Sequence, residues 1–251
     1  MIKLTSLGQV GYIVDINNVR LVIDPYLSNY VEDKYGKQFK SLIKSPILPE
    51  SIKNVDYILI SHEHEDHCDP FTLGKIFEVN QDVKIICPRE CNEIIKEIPF
   101  KEILNLKIQE KKQILDINIE VVPAAHPELE INNGYSRFMG FLISINNFVM
   151  YHAGDTIPFL TANNYLPKGI DLAFLPINER NFFKDSAGII GNMTCREALE
   201  WVEQLKIKHW IPTHWDTFSN NGTYQEELDI VAKRINKSNY TWINAGETIS
   251  I

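Results

Sequence analysis

A histidine-rich segment, residues 61–67, carries the clearest chemical signal in the chain. It reads Ser-His-Glu-His-Glu-Asp-His, directly follows an apolar run of strand length, and holds three of the seven histidines. Side chains alternate in an extended chain, which places His62, His64 and Asp66 on one side, while His67 turns away as the loop bends toward a helix. One loop can therefore supply two neighbouring metal positions.

Imidazole and carboxylate together form a donor set suited to borderline and hard divalent metals. A hydrolytic metal also needs an open position for water, and three histidines leave that position free. The other interpretation is a charged surface loop rich in acids and imidazoles. It fits each residue singly, but the joint H-x-H-x-D-H pattern favours a metal site.

Further donors should lie at the ends of later strands, because one loop cannot complete two metal sites. His126 follows the apolar stretch IEVVPAA, Asp155 follows FVMY within YHAGDT, and His214 lies in WIPTHWDTF. An isolated histidine is more often a core or surface residue than a ligand. In this company, all three are predicted to be metal ligands.

The elements that would position these residues alternate between strand and helix. Val10 to Ile16 and Val19 to Ile23 predict a hairpin turning at Asn17-Asn18, and Val55 to Ile60 predicts a buried strand. Asp69-Pro70 then offers the N-cap and the first-turn proline of a helix predicted over PFTLGKIFEV. Further strands are predicted at 83–87, 117–122, 138–145, 148–151 and 172–175, and helices at 89–97, 195–205 (Thr194 as N-cap) and 224–235.

Two long polar connections, residues 28–45 and 178–193, interrupt this alternation. Long loops in a compact domain are often functional. The sequence has no internal repeat and no linker rich in Pro, Gly or Ser, so residues 1–251 are predicted to form a single domain.

The composition limits which kinds of binding partner and which cellular compartment are expected. The chain has 25 basic and 33 acidic side chains, a net charge of −8 that disfavours nucleic acid. Its four cysteines show no CxxC pair, which predicts reduced, buried thiols. No signal peptide or membrane-spanning run is evident, so we expect a cytoplasmic protein with a small-molecule substrate and no membrane partner. A homo-oligomer remains open.

Taken in order, the residues quoted above resemble the metallo-β-lactamase superfamily over almost the whole chain, with Gly154-Asp155-Thr156 and Thr213-His214 completing the pattern. The resemblance implies an α+β fold, an αββα sandwich with the metals at one edge of its two sheets. It also implies two ligand sets and a bridging aspartate. His62, His64 and His126 would hold the first metal, Asp66, His67 and His214 the second, and Asp155 would bridge.

Within the superfamily, three strings look like the L-ascorbate-6-phosphate lactonase branch. They are Ile23-Asp24-Pro25-Tyr26, Leu175-Pro176-Ile177-Asn178 and Gly191-Asn192-Met193-Thr194. That branch hydrolyses a phosphorylated sugar lactone with a divalent metal, which here implies Mn²⁺ or Zn²⁺, one or two per chain. Where the branch usually has Asn-Gly-Arg, this chain has Asn178-Glu179-Arg180, and the acid puts that substrate in doubt.

Three residues of this region are predicted to contact substrate: Asn178, Arg180 and Asn192. The guanidinium of Arg180 could bind a phosphate bidentately, through two hydrogen bonds. The competing interpretation is a surface salt bridge between Arg180 and Glu179 or Asp185.

The predicted chemistry is hydrolysis by a metal-held water, whose pKa falls from 15.7 to about 7. Asp66 is the predicted catalytic residue, since it can accept a hydrogen bond from that water. A lactone or ester of a small, sugar-like metabolite is the predicted substrate. A phosphodiesterase on the same metals and a non-catalytic metal-binding module are the alternatives.

Other polar residues receive smaller roles. Asp24 is predicted to hydrogen-bond a ligand histidine. Two roles are open for His152, a hydrogen bond to a ligand and plain packing. His209 and Cys68 are predicted to be structural.

Overall fold

Strands and helices alternate in the computed structural model, which describes residues 1–237 and 239–251. Its strands, in chain order, are β1 (Ile2–Gly8), β2 (Gly11–Ile16), β3 (Val19–Ile23), β4 (Tyr57–Leu59), β5 (Lys84–Ile86), β6 (Glu102–Leu104), β7 (Lys111–Ile114), β8 (Ile117–Pro123), β9 (Ile131–Asn132), β10 (Tyr135–Ser136), β11 (Met139–Ile145), β12 (Phe148–His152), β13 (Leu172–Pro176), β14 (His209–Thr213) and β15 (Thr248–Ser250). Its α-helices are α1 (Tyr30–Tyr35), α2 (Pro70–Val79), α3 (Asn92–Ile95), α4 (Phe182–Ser186), α5 (Cys195–Leu205) and α6 (Gln225–Arg234).

The chain divides into two compact units. Unit 1 comprises Met1–Leu106, Thr217–Ser219 and Ile243–Ile251; unit 2 comprises Lys107–Asp216 and Asn220–Trp242. The single domain expected from the sequence stays a prediction.

Unit 1 contains a seven-stranded sheet in the order β15-β1-β2-β3-β4-β5-β6. Strands β15 to β3 pair antiparallel, and β3 to β6 pair parallel. The ends of β3 and β4 therefore lie side by side, which places Asp24 next to the start of the histidine loop. Helices α2 and α3 supply apolar side chains, among them Leu73, Ile76 and Ile95, to the core of this unit.

Unit 2 contains a six-stranded sheet in the order β14-β13-β12-β11-β8-β7. Strands β12, β13 and β14 run parallel, and β11 lies antiparallel between β12 and β8. The carboxyl ends of β8, β12, β13 and β14 consequently share one sheet edge. Helix α5 packs Leu199, Trp201 and Leu205 into the core of this unit.

Local sequence signals account for several boundaries. The β2–β3 and β11–β12 hairpins turn at Asn17 and Asn146, whose φ angles of +53° and +52° are left-handed, a conformation that asparagine tolerates. Asp69 accepts the backbone N–H of Phe71 and caps α2. Thr194 forms a reciprocal capping box with Glu197 at the start of α5. These hairpins and caps confirm the sequence predictions.

Other elements differ from the predictions. Residues 28–45 are not a plain loop, because they contain α1 and a 3-10 turn, and residues 178–193 contain α4. The helix predicted at 89–97 is a 3-10 turn followed by the single turn of α3. These pieces are short, and short helices depend on tertiary packing more than on sequence periodicity.

The cysteines Cys68, Cys87, Cys91 and Cys195 are buried free thiols, as predicted. Within residues 1–237 and 239–251, no helix combines the length and the apolar character that crossing a membrane requires.

Candidate functional site

The histidine loop of unit 1 begins at a fully buried carboxylate. Asp24 follows β3, and its Oδ1 accepts the backbone N–H of Ser61 at 2.7 Å while its Oδ2 accepts the Ser61 hydroxyl at 2.6 Å. The backbone N–H of Asp24 donates to the carbonyl of Leu59 at 2.9 Å. Parallel pairing of β3 and β4 thus fixes where the loop leaves the sheet.

The donor atoms of this loop lie close together. His62 Nε2 is 2.9 Å from His64 Nδ1, and His67 Nε2 is 3.8 Å from Asp66 Oδ2. The rings of His62 and His67 lie 4.0 Å apart, centroid to centroid. The N–H groups of His67 and Cys68 both donate to the carbonyl of His64, so the loop turns between these residues. We call these four donors the unit 1 set.

Two buried neighbours orient the unit 1 set. The Nδ1–H of His67 donates to Asp24 Oδ2 at 3.0 Å, which makes Nε2 the nitrogen with the lone pair and confirms the role predicted for Asp24. The amide of Gln9 donates to Asp66 Oδ2 at 2.6 Å. Sequence reasoning missed Gln9, because nothing in its local sequence links it to a loop 57 residues away.

The donors of unit 2 come from three strand ends. His126 follows β8, Asp155 follows β12 and His214 follows β14, and each is at most 3% exposed. Asp155 Oδ2 lies 3.6 Å from His126 Nε2 and 3.4 Å from His214 Nε2. The shared sheet edge therefore brings together the three residues that the sequence predicted, and we call them the unit 2 set.

A chain of asparagines supports the unit 2 set. The Nδ1–H of His126 donates to Asn192 Oδ1 at 2.9 Å, and the Asn192 amide donates to Asn178 Oδ1 at 2.8 Å. Lys184 donates to the backbone carbonyls of Asn178 and Glu179, the latter at 2.9 Å. Both asparagines are fully buried. They hold His126 in place, while their predicted contact with substrate stays a prediction.

Arg180 pairs with a residue that the sequence analysis did not consider. Its Nη1 donates to Glu197 Oε2 at 3.0 Å and to the backbone carbonyl of Asn192 at 2.9 Å. The competing interpretation, a salt bridge of Arg180 with Glu179 or Asp185, named the wrong partners, because the ion pair is with Glu197 of the capping box. Burial raises the pKa of Glu197, but hydrogen bonds from Arg180 and Thr194 outweigh it, and the net pKa is lowered. A substrate contact by Arg180 stays a prediction.

The remaining histidines lie within unit 2. His152 is buried against the ring of Phe174 and accepts the N–H of Gly154 on Nδ1 at 3.3 Å. His209 is 2.9 Å from the hydroxyl of Thr241 through Nε2, and burial lowers its pKa. These contacts fit structural roles.

The chemistry of both donor sets fits a divalent metal. Two ligand atoms bound to one ion lie about 2.8–3.4 Å apart, because each bond is about 2.0–2.1 Å long and the angle between the bonds is about 90–110°. The His62–His64 spacing of 2.9 Å and the His214–Asp155 spacing of 3.4 Å agree with such sharing. The Nδ1 atoms of His67 and His126 are hydrogen-bonded to Asp24 and Asn192, so Nε2 is the atom left to bind a metal. This arrangement is typical of metal-ligating histidines.

Comparison with known proteins shows which protein family the chain belongs to. The β-lactamase superfamily domain matches residues 19–215. A UPF0173 metal-dependent hydrolase of Pyrococcus furiosus is 30% identical over 234 residues, covering 91% of each chain. A homologous metal-dependent hydrolase of Nanoarchaeum equitans is 30% identical, covering 86% of this chain and 85% of its own.

Solved structures share the fold. Igni18, a metallo hydrolase of Ignicoccus hospitalis, has a TM-score of 0.74 at 21% identity and covers 99% of this chain and 97% of its own. A possible metal-dependent hydrolase from Veillonella parvula has a TM-score of 0.76 at 18% identity and covers both chains completely. The predicted α+β fold of the metallo-β-lactamase type is confirmed.

The chain belongs to the metallo-β-lactamase superfamily of metal-dependent hydrolases. At this level the predicted enzyme class is confirmed, and the chain is similar to the UPF0173 hydrolases named above.

Proposed function

We propose that this chain hydrolyses a lactone or ester bond in a small, sugar-like metabolite, with Mn²⁺ or Zn²⁺ held by the unit 1 and unit 2 sets. The observation that carries the proposal is the composition of those sets. They consist of buried or half-buried imidazoles and carboxylates, with His67 and His126 held by Asp24 and Asn192.

A divalent metal in such a setting lowers the pKa of water and polarises the carbonyl or phosphoryl oxygen under attack. The chain's own residues supply orientation and proton acceptance. The side chain of Asp66 keeps 17% exposure, whereas that of His67 keeps none, so Asp66 can reach a water molecule. Gln9 donates to one Asp66 oxygen and so holds the carboxylate in place.

The L-ascorbate-6-phosphate lactonase branch supplies the finer form of the proposal, in which the metabolite is phosphorylated. Its support is the three matching strings around Asp24, Asn178 and Asn192. In this chain those residues are buried beside the histidines of their own unit, which agrees with a role near the chemistry.

Metal analysis followed by a substrate panel tests the proposal. We expect one or two divalent metals per chain and hydrolysis of lactones or esters in preference to thioesters and phosphodiesters. Asp66→Asn should lower kcat by about 100-fold or more, the usual contribution of a general base. Glu63→Gln, which removes one carboxylate from the same loop, is the matched control and should keep its activity.

Three outcomes would contradict the proposal. Cleavage of phosphodiesters alone would favour the phosphodiesterase alternative. Stoichiometric metal with no hydrolysis of any substrate would favour the non-catalytic module. Equal loss in Asp66→Asn and Glu63→Gln would remove Asp66 from the reaction.

A further inference from the structure

A basic stretch in unit 1 departs from the acidic character of the chain. Residues 34–49 contain four lysines and no acidic residue, in a protein of net charge −8. Lys34 forms an ion pair with Glu65 of the histidine loop, and the hydroxyl of Tyr35 donates to the same carboxylate at 3.1 Å. These two contacts hold helix α1 against the histidine loop. The lysines that follow α1 do not take part in them.

Two of these lysines line a cavity of about 300 Å³. Within residues 1–237 and 239–251, the ammonium groups of Lys40 and Lys44 have no carboxylate within ion-pair distance and no hydrogen-bond acceptor. The wall also carries the hydroxyls of Ser28, Ser41 and Ser45. The volume is at the small end of the range for ligand sites and suits one small metabolite.

The cavity adjoins the unit 1 set through two short pieces of chain. Its wall residue Leu7 precedes Gln9, which holds Asp66, by two residues. Its wall residue Tyr26 follows Asp24, which holds His67, by two residues. Burial raises the pKa of the Tyr26 hydroxyl, and the carboxylate of Asp66 raises it further, so this hydroxyl stays protonated.

The charges on the cavity wall favour an anion. Glu32 is the acidic residue of this lining, set against Lys40 and Lys44. Two cations and one anion leave a net positive wall, while the serines and Glu32 can hydrogen-bond ligand hydroxyls.

We propose that this cavity binds the anionic end of the substrate, a carboxylate or a phosphate, while the bond to be hydrolysed lies at the unit 1 set. The inference rests on the proposed function and deepens it, because it assigns anion recognition to Lys40 and Lys44 and not to Arg180. Arg180 differs from these lysines in that its guanidinium is already engaged by Glu197.

Direct anion binding tests the cavity without reference to hydrolysis. Metal-loaded protein is titrated with inorganic phosphate and, separately, with acetate, and the dissociation constants are measured by calorimetry. The test variant is Lys40→Ala/Lys44→Ala. The control is Lys37→Ala/Lys53→Ala, which removes the same charge from exposed lysines of unit 1 outside the cavity wall.

The test variant should raise Kd for at least one anion by about tenfold, because charge-assisted hydrogen bonds are lost, and the control should change it less than twofold. The anion whose affinity falls identifies the substrate group as phosphate or carboxylate. Equal Kd values in the test variant, the control and the wild type would overturn the proposal.

A kinetic arm separates this inference from the proposed function. For an anionic ester, KM should rise about tenfold in the test variant. For a neutral ester of the same leaving group, KM should stay unchanged. If no ester or lactone is hydrolysed but the calorimetric difference persists, the proposed function fails and the anion site stands. If hydrolysis is normal and neither KM moves, the anion site fails and the proposed function stands.

Discussion

The two donor sets are built in opposite ways. The unit 1 set occupies one continuous loop, residues 62–67, whereas the unit 2 set is assembled from three strand ends (126, 155 and 214) separated successively by 29 and 59 residues along the chain. A single carboxylate, Asp24, fixes the start of the loop. The unit 2 set needs β8, β12 and β14 to be in register. Local chain geometry secures the first set and sheet topology secures the second.

The orienting groups differ as well. In unit 1 the ring of His67 donates to a charged carboxylate, and in unit 2 the ring of His126 donates to a neutral amide. A carboxylate increases the basicity of an imidazole more than an amide does, since it stabilises the positive charge that develops on the ring. The comparison therefore predicts a more strongly donating histidine in unit 1.

Metal removal should have the largest effect, because it removes the function of both sets at once. Exhaustive chelation is expected to abolish hydrolysis, more than about a thousandfold, since the pKa of water returns from about 7 to 15.7. Adding back Mn²⁺ or Zn²⁺ should restore the rate. Elemental analysis with activity assays measures both, and unchanged activity in metal-free protein would refute metal dependence.

Losses of single ligands should distinguish the two metal positions that the resemblance implies. His62→Ala is expected to empty the first metal position, whereas Asp155→Asn should weaken the second metal more than the first, because a charged carboxylate is needed to balance two dications. The measurement is metal content per chain after dialysis. Equal retention of both metals in the two variants would show that the assigned roles are wrong.

The orienting residues give a smaller and graded effect. Asp24→Asn should weaken metal affinity by about 10- to 100-fold, and Asn192→Ala should weaken it less, as expected if the charged partner contributes more. Competition with a chromophoric chelator measures both constants. Asp56→Asn, an exposed carboxylate of unit 1, is the control. A larger loss of metal affinity in Asn192→Ala than in Asp24→Asn would contradict this prediction.

Arg180→Lys should have the smallest effect. It replaces the bidentate partner of Glu197 and should lower the free energy of unfolding by about 0.5–1 kcal/mol. The folded pKa of Glu197 lies below its ordinary value of 4.5, so this stabilisation is present above pH 4.5 and is lost as the pH falls through the lower folded value.

Thermal unfolding against pH measures this effect. The difference in Tm between Arg180→Lys and wild type should be present at pH 7 and should shrink below pH 4.5. Arg137→Lys, which alters a more exposed pair with Glu130, should show little difference at either pH. A Tm difference that does not depend on pH would contradict the role of Glu197. A rise in KM for phosphorylated substrates alone would instead support the predicted substrate contact.

The same contrast explains how much of the site the sequence could predict. The loop is visible because its spacing is local, and His126, Asp155 and His214 are visible because each follows an apolar strand. Gln9 is hidden, since it lies in the β1–β2 turn, with a φ of +58°, and its contact with Asp66 joins residues that are 57 positions apart in the sequence. The partner of an ion pair is hidden too: the salt bridge considered for Arg180 was with its sequence neighbours Glu179 or Asp185, but the fold brings it to Glu197.

The fold follows a similar rule. The long strands, the Asn-turn hairpins and the capped helices α2 and α5 were predictable, because periodicity and caps act over a few residues. Helices α1 and α4 were not, because helices of 6 and 5 residues carry too little periodicity to be distinguished from loops. Strand β1 was also missed, although it pairs with β2 and β15.

The pairing of β15 with β1 also bears on how the chain is synthesised. Lys3 lies opposite Ser250, and Leu4 opposite Ile249, so the outer edge of β1 is covered by a strand that is synthesised long after it. Until then a growing chain exposes an open strand edge, which can pair with a neighbouring nascent chain. The synthesis of β15, and not the earlier emergence of the histidine loop, is therefore the step after which unit 1 can complete its sheet.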